Sequence, residues 1–407
     1  MFDRLRRWWT KRSGAATSTL YQPSPWLYEA LHAEPTLAGV SVDAQSSLHS
    51  TAVFACVKVL SESIASLPLH LYRRDGDRTT KALEHPLYQV LNFRPNRLQT
   101  SYEFRALMAT WLCLHGNSYC EVVRNSRGDV TALWPLRPDR MILRYVPDGG
   151  ELDYVFAQPG GPTYHLDPES ILHVKALSTD GLIGYSPIAA AKQTIGLALI
   201  QERFGASYFG NGCRIGGVIE HPNQLGDEGL RNIQESFKKQ YSSPSNFHNV
   251  LVLEEGAVYR PFELKADEAQ YLESRRYSVE DICRIFRVPP YLAGQLDKAN
   301  YSNIEALSRE FVTQTLRPWL VNFEEAYARK LLRPTEWSDY YIAHDVRAML
   351  RGDHESTMRS YQLGIQSGIY CPNDCRRMEN LDPREGGDIY LQPVNYAPSP
   401  FTPSKKE

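Results

Sequence analysis

The sequence lacks any run of about 18 consecutive apolar residues, so no segment reads as a membrane-spanning helix. It also lacks an excess of charge. Lys and Arg number 45 against 47 Asp and Glu, a formal net charge of −2 over 407 residues. A protein that grips nucleic acid tightly needs concentrated cations to displace counterions. The balance excludes that class but not a protein that only surrounds a duplex. Cysteine is sparse and scattered, with seven at positions 56, 113, 120, 213, 283, 371 and 375. An odd, unpaired set is not a disulfide framework and points to a reducing compartment. Cys56, Cys113 and Cys283 fall in apolar helical patterns and read as small buried hydrophobes. The opening "MFDRLRRWWTKRS" is basic and aromatic but has no apolar signal core, and reads as a frayed terminus or a basic arm.

Catalytic signatures are missing as well. There is no G-x-x-x-x-G-K-[ST] phosphate cradle and no H-E-x-x-H. "GYSPI" (184–188) fails the G-x-S-x-G pattern at its second glycine. "GNGCRIGG" (210–217) follows a helical pattern and lacks dinucleotide-loop spacing, so it reads as a helix end entering a strand. Cys371 and Cys375 form one C-x-x-x-C without the second pair that a structural zinc site requires. The reading is of a protein that is not an enzyme and holds no cofactor or metal.

What is present is a clear order of elements. Val53, Val57, Leu60 and Ile64 share a helical face over 51–66, and Pro68 ends it before the strand "LHLYRR". Thr100 and Glu103 form a capping box for a helix with the stripe Phe104, Leu107, Trp111 and Leu114, closed at Gly116-Asn117. "SYCEVVR" and "DVTALWPL" make a hairpin across "NSRG", where Gly128 can take positive φ. "MILRYV", "LDYVFA" and "ILHVKAL" add short strands, so this part reads as α+β.

Farther on, Ser186 and Pro187 begin a helix of about 23 residues. A strand–helix–strand insert follows, then a helix over 266–286 rich in Glu and Arg. Val288-Pro289-Pro290 ends that helix, and a polar loop leads to Ser302 and Glu305, the capping box of a long amphipathic helix. Pro318 lies inside that helix and predicts a kink. Arg275, Arg276 and Arg284 can pair with Glu268, Glu273 and Glu280 at helical spacing or face an external anion; pairing is the favoured reading.

In this order the stretches resemble the portal proteins of tailed bacteriophages, of the lambdoid-like siphovirus or prophage type. The resemblance rests on "STAVFACVKVLSESIASLPLHLYRR", "HGNSYCEVVRNSRGDVTALWPLRPDRM" and "GYSPIAAAKQTIGLALIQERFGASYFGNG". It continues through "RRYSVEDICRIFRVPPYLAG", "YSNIEALSREFVTQTLRPWLVNFEEAYARKLL" and the closing segment from Met349. One departure is "YCPNDCR", with Cys371 and Asp374 where the family more often has Thr and Glu.

The resemblance implies a ring-forming α+β portal architecture. Its parts would be a flexible arm (1–46), a wing (47–180), stem helix 1 (181–212) and a clip (213–264). Stem helix 2 (265–288), a tunnel loop (289–302), a long kinked helix of the wing (303–335), a crown (336–395) and a tail (396–407) would follow. It further implies a usually dodecameric ring at one capsid vertex of the virion, assembled in the host bacterial cytoplasm. Double-stranded DNA would pass the tunnel-loop residues Gln295, Asp297, Lys298, Asn300 and Tyr301. The terminase large subunit and a head-completion adaptor would dock near Arg231, Lys238 and Lys239, and major capsid and scaffold proteins would bind elsewhere. The competing readings are a hydrolase or nuclease assembled only in three dimensions, and another head–tail adaptor or scaffold protein.

Overall fold

The computed structural model describes residues 36–76, 78–146, 151–158, 160–210, 217–220, 258–295, 304–346, 354–379 and 381–391, apart from 262–267 and with isolated positions 226, 229, 231, 235 and 349. Two compact units emerge, one of residues 1–299 with 314–344, the other of 300–313 with 345–407.

The first unit is built on two helices, α1 (Thr51–Ser66) and α3 (Ser101–His115), that pack face to face. Val53, Cys56, Leu60 and Ile64 of α1 and Met108, Ala109, Leu112 and Cys113 of α3 are all buried. Their three- and four-residue spacing puts each set on one stripe, which is why both segments are helical here. The capping box of α3 forms as its sequence predicts: Glu103 N donates to Thr100 Oγ1 at 3.2 Å, and Thr100 N donates to the Glu103 carboxylate at 2.8 Å. A short helix, α2 (Pro86–Asn92), lies between them in sequence, its first turn capped by the His85 ring, which accepts from Leu87 N at 3.1 Å.

The unit also holds three antiparallel three-stranded sheets. β1 (Leu69–Asp75) is flanked by β2 (Arg78–Lys81) and by β11 (Tyr340–His344). β3 (Asn117–Arg124) is flanked by β4 (Val130–Leu136) and β8 (Ile171–Lys175). β5 (Met141–Val146), β6 (Glu151–Ala157) and β7 (Thr163–Leu166) form the third. Tyr340–His344 falls among residues that the sequence groups with a C-terminal crown. Its backbone hydrogen bonds nevertheless go to β1, and His344 N donates to Glu324 at 2.7 Å. α8 (Arg317–Leu331) packs on β8 and β11, burying Leu320, Phe323, Tyr327 and Leu331.

Gly116 ends α3 at φ 71 where the backbone comes close: a Cβ there would lie 2.3 Å from Tyr185 O. Asn117 locks the same contact by donating to Gly184 O and accepting from Gly184 N, both at 2.8 Å.

The helix expected from Ser186 is present but divided. Ser186 Oγ caps α4 (Pro187–Ala190), Ala191 leaves the helical region (φ −104, ψ 15), and α5 (Lys192–Gly210) follows. Part of the supposed loose arm is docked. Thr36 and Val40 are buried, and Leu37 N donates to Gln193 Oε1 of α5 at 3.0 Å. Gly196 makes room for this, since a Cβ there would meet Thr36 Oγ1 at 2.7 Å.

The long helix after Ser302 is also in pieces: α7 (Ile304–Glu310), a π-helical stretch Phe311–Leu316, and α8. The irregularity precedes Pro318, which occupies the first turn of α8, where its missing N–H is tolerated. In the second unit, α10 (Pro372–Met378) begins with Cys371 N donating to the Asp374 carboxylate at 3.0 Å. The unusual Cys/Asp pair therefore still supplies a cap. Before it lies α9 (His354–Gln366).

Candidate functional site

α5 and α6 (Glu268–Phe286) form a pair joined by side chains that are polar at one end and apolar at the other. Gln201 of α5 is the hub of the polar end. Its Nε2 donates to Ser274 Oγ at 2.7 Å, its Oε1 accepts from Ser278 Oγ at 2.8 Å, and its carbonyl accepts from Tyr271 OH at 2.8 Å. Gly205 lets the Tyr271 ring approach; a Cβ would lie 2.2 Å from its hydroxyl. At the apolar end Ile282, Cys283 and Phe286 are buried, and α6 meets α1. Here the Cys56 thiol donates to Cys283 Sγ at 3.8 Å. That hydrogen bond and burial push the Cys56 thiol above its ordinary range, so it stays protonated.

Arg275 and Arg284 of α6 are matched by carboxylates, as the sequence favours, but by other ones than Glu268, Glu273 and Glu280. Arg275 reaches Glu202 across the helix pair at 3.7 Å, and Arg284 pairs with Asp281. The partner of Arg275 lies on the other helix and cannot be seen from one-dimensional spacing, whereas that of Arg284 lies three residues earlier on its own helix.

α6 closes with a Schellman motif. Val288 N donates to Cys283 O at 2.9 Å and Arg287 N to Arg284 O at 3.2 Å. Arg287 takes the left-handed position at φ 55, among the described residues the one non-glycine with positive φ. Pro289 and Pro290 then redirect the chain into a single 3₁₀ turn, Pro290–Ala293, closed by Gly294 at φ 93. Gln295 folds back, its Nε2 donating to Arg276 O at 3.4 Å.

β9 (Gly217–Glu220) and β10 (Val258–Pro261) pair antiparallel, with Arg260 on Glu220 at 3.1 Å. The described residues include no cluster of three or more His, Cys, Asp and Glu arranged to hold a metal ion.

This order of wing-like sheets, paired helices, a two-strand insert and a Pro-Pro turn is met in known proteins. The family description "Phage portal protein" matches residues 51–380. The chain belongs to the phage portal protein family.

Its portal relatives include the portal protein of Enterobacteria phage HK97, 30% identical over 376 residues, covering 91% of this chain and 88% of the relative. The probable portal protein of Streptomyces phage phiC31 is 30% identical over 392 residues, covering 92% and 83%. Among solved structures, a chain from the neck of a native gene transfer agent particle computed with C12 symmetry superposes with a TM-score of 0.55 at 24% identity, covering 83% of this chain and 93% of the other.

Of the site residues expected for a portal, Gln295 is described and half-buried against α6. Asp297, Lys298, Asn300 and Tyr301 lie outside the described residues, as do Lys238 and Lys239. Arg231 is helical and exposed. The left-handed Arg287 escaped the sequence reading; its signal was a non-glycine directly after the last helical residue and two positions before Pro-Pro.

Proposed function

We propose that this portal protein forms a ring of about twelve copies at one vertex of a capsid, through which double-stranded DNA passes during packaging and ejection. The observation that carries the reading is the end-to-end correspondence with a phage portal protein, 91% of this chain on 88% of that one. The solved neck of C12 symmetry supports the copy number.

In this reading the α5–α6 pair is the stem. Leu197, Phe204 and Tyr277 stand exposed on it, apolar side chains that neighbouring copies would cover. The segment 289–302, entered through the Pro-Pro turn, lines the hole. It carries a single cation, Lys298, beside Asp297, too little charge to hold a moving polyanion. The β9–β10 insert and Arg231 face the terminase large subunit during filling and the head-completion adaptor afterwards. Major capsid and scaffold proteins meet the wing. The protein works without an active site of its own, as a passive conduit and docking platform. No described helix is long and apolar enough to cross a membrane, and assembly takes place in the host cytoplasm.

Mass photometry of the purified chain is the test. Rings of about a dozen copies are expected; a chain that stays monomeric at micromolar concentration contradicts the reading.

A further inference from the structure

We infer that Arg287 is a phosphate-binding residue of the DNA channel, held by a strained helix end; this rests on the conduit reading above. A Schellman motif needs a left-handed residue at its first non-helical position, and glycine fills it because a Cβ there is crowded by the following carbonyl. Here an arginine fills it at φ 55. The strain serves no packing purpose, since the side chain is exposed. Among the described residues its guanidinium has no hydrogen-bond or ion-pair partner, whereas Arg275 and Arg284 on the same helix are already matched by Glu202 and Asp281.

The mount is rigid. Val288 and Arg287 both donate into the helix end, Thr315 Oγ1 donates to Arg287 O at 2.6 Å, and Val288 is buried just ahead of the two prolines. A residue in a sparsely populated conformation, fixed from every side, is a mark of function. Gln295 returns to the Arg276 carbonyl, so the start of the 289–302 segment runs back along the helix that bears Arg287. The charge therefore stands at the root of that segment, on a fixed base. A planar guanidinium suits a phosphate bidentately. One such guanidinium per copy gives a polyanion a weak, periodic hold. A carboxylate of the adjoining copy is the other anion that could meet it.

The two are separated with assembled rings and a duplex of about 30 base pairs, whose retention is followed against salt concentration. Arg287→Gly should leave the ring mass unchanged and raise its melting temperature, because glycine relieves the strain. It should lower the slope of log retention against log salt by about one unit for each phosphate that is no longer neutralised. Arg287→Lys should keep most of the slope. An unchanged slope in intact Arg287→Gly rings overturns the inference, and so does disassembly of the ring, which would assign the guanidinium to the neighbouring copy. Wild-type rings that do not retain the duplex at low salt also overturn the inference, whereas a chain that forms no ring overturns the conduit reading itself.

Discussion

The α1–α3 pair and the α5–α6 pair are both helix pairs of the same unit, yet they are held together differently. α1 and α3 meet through side chains such as Leu60, Met108 and Leu112, each without measurable exposure. Their contact is dry and large, and it requires nothing outside the chain. The polar half of α5–α6 is joined instead by Gln201, Tyr271, Ser274 and Ser278, while Leu197, Phe204 and Tyr277 remain open to solvent. Apolar burial contributes about 25 cal/mol per Å², whereas an exchanged hydrogen bond contributes about 1 kcal/mol net. The first pair is thus a self-sufficient core. The second is a geometry fixed by hydrogen bonds whose outer faces await another surface.

The contrast is sharpest where core volume is removed. Leu112→Ala should cost about 3 kcal/mol, read as a lower urea midpoint, because the surrounding side chains cannot collapse into the space. A loss well under 1 kcal/mol would show that the α1–α3 contact is looser than described.

Next comes acid. His173 is half-buried between Tyr154 OH (3.3 Å) and Asn117 Oδ1 (3.0 Å), and its desolvation, with Lys175 nearby, lowers its pKa to about 3. Asn117 Oδ1 can only accept, so Nε2 carries the hydrogen, and in the neutral ring Nδ1 accepts from Tyr154 OH. In the unfolded chain the ring has an ordinary pKa near 6.5 and takes a proton that the folded chain refuses. Stability from this group is full above pH 6.5 and drains as pH falls toward 3, by roughly 2 kcal/mol at pH 5. His173→Gln should flatten the urea midpoint between pH 7 and pH 5; an equally steep decline in that variant would remove His173 as the cause.

In the α5–α6 pair the effects should be smaller. Ser278→Ala leaves Gln201 Oε1 without its donor and should cost about 1 kcal/mol. Arg275→Ala, at a half-exposed pair 3.7 Å from Glu202, should shift stability by no more than about 0.5 kcal/mol and less at high salt. If either variant matches Leu112→Ala in size, the two regions are not held as differently as described.

The same contrast explains what was legible beforehand. The stripe of α1, the Thr100–Glu103 cap and the Gly128 turn are local patterns, and each formed as expected; in α3 the buried face runs through Phe104, Met108, Leu112 and Cys113, and Leu107 and Trp111 of the expected stripe are only half-buried. β2 and α2 were missed: one is four polar residues at a sheet edge, the other starts from a histidine cap that spacing does not announce. β11 became a strand only because β1 offered it an edge. For the α5–α6 pair, the chain showed two helices but not the partners Gln201–Ser278 or Arg275–Glu202, which exist only once the helices are side by side. The charge of the 289–302 segment was visible in its composition. The strained arginine at its root was not, because a left-handed residue is a property of the helix end in three dimensions.

The central claim is that this helix pair, repeated around an axis, presents the 289–302 segment to a hole. Electron cryomicroscopy of the purified assembly measures that directly. The account predicts a closed ring of about twelve copies with that segment on its inner wall and the opening wide enough for a duplex; a ring carrying the segment on its outer surface would contradict it.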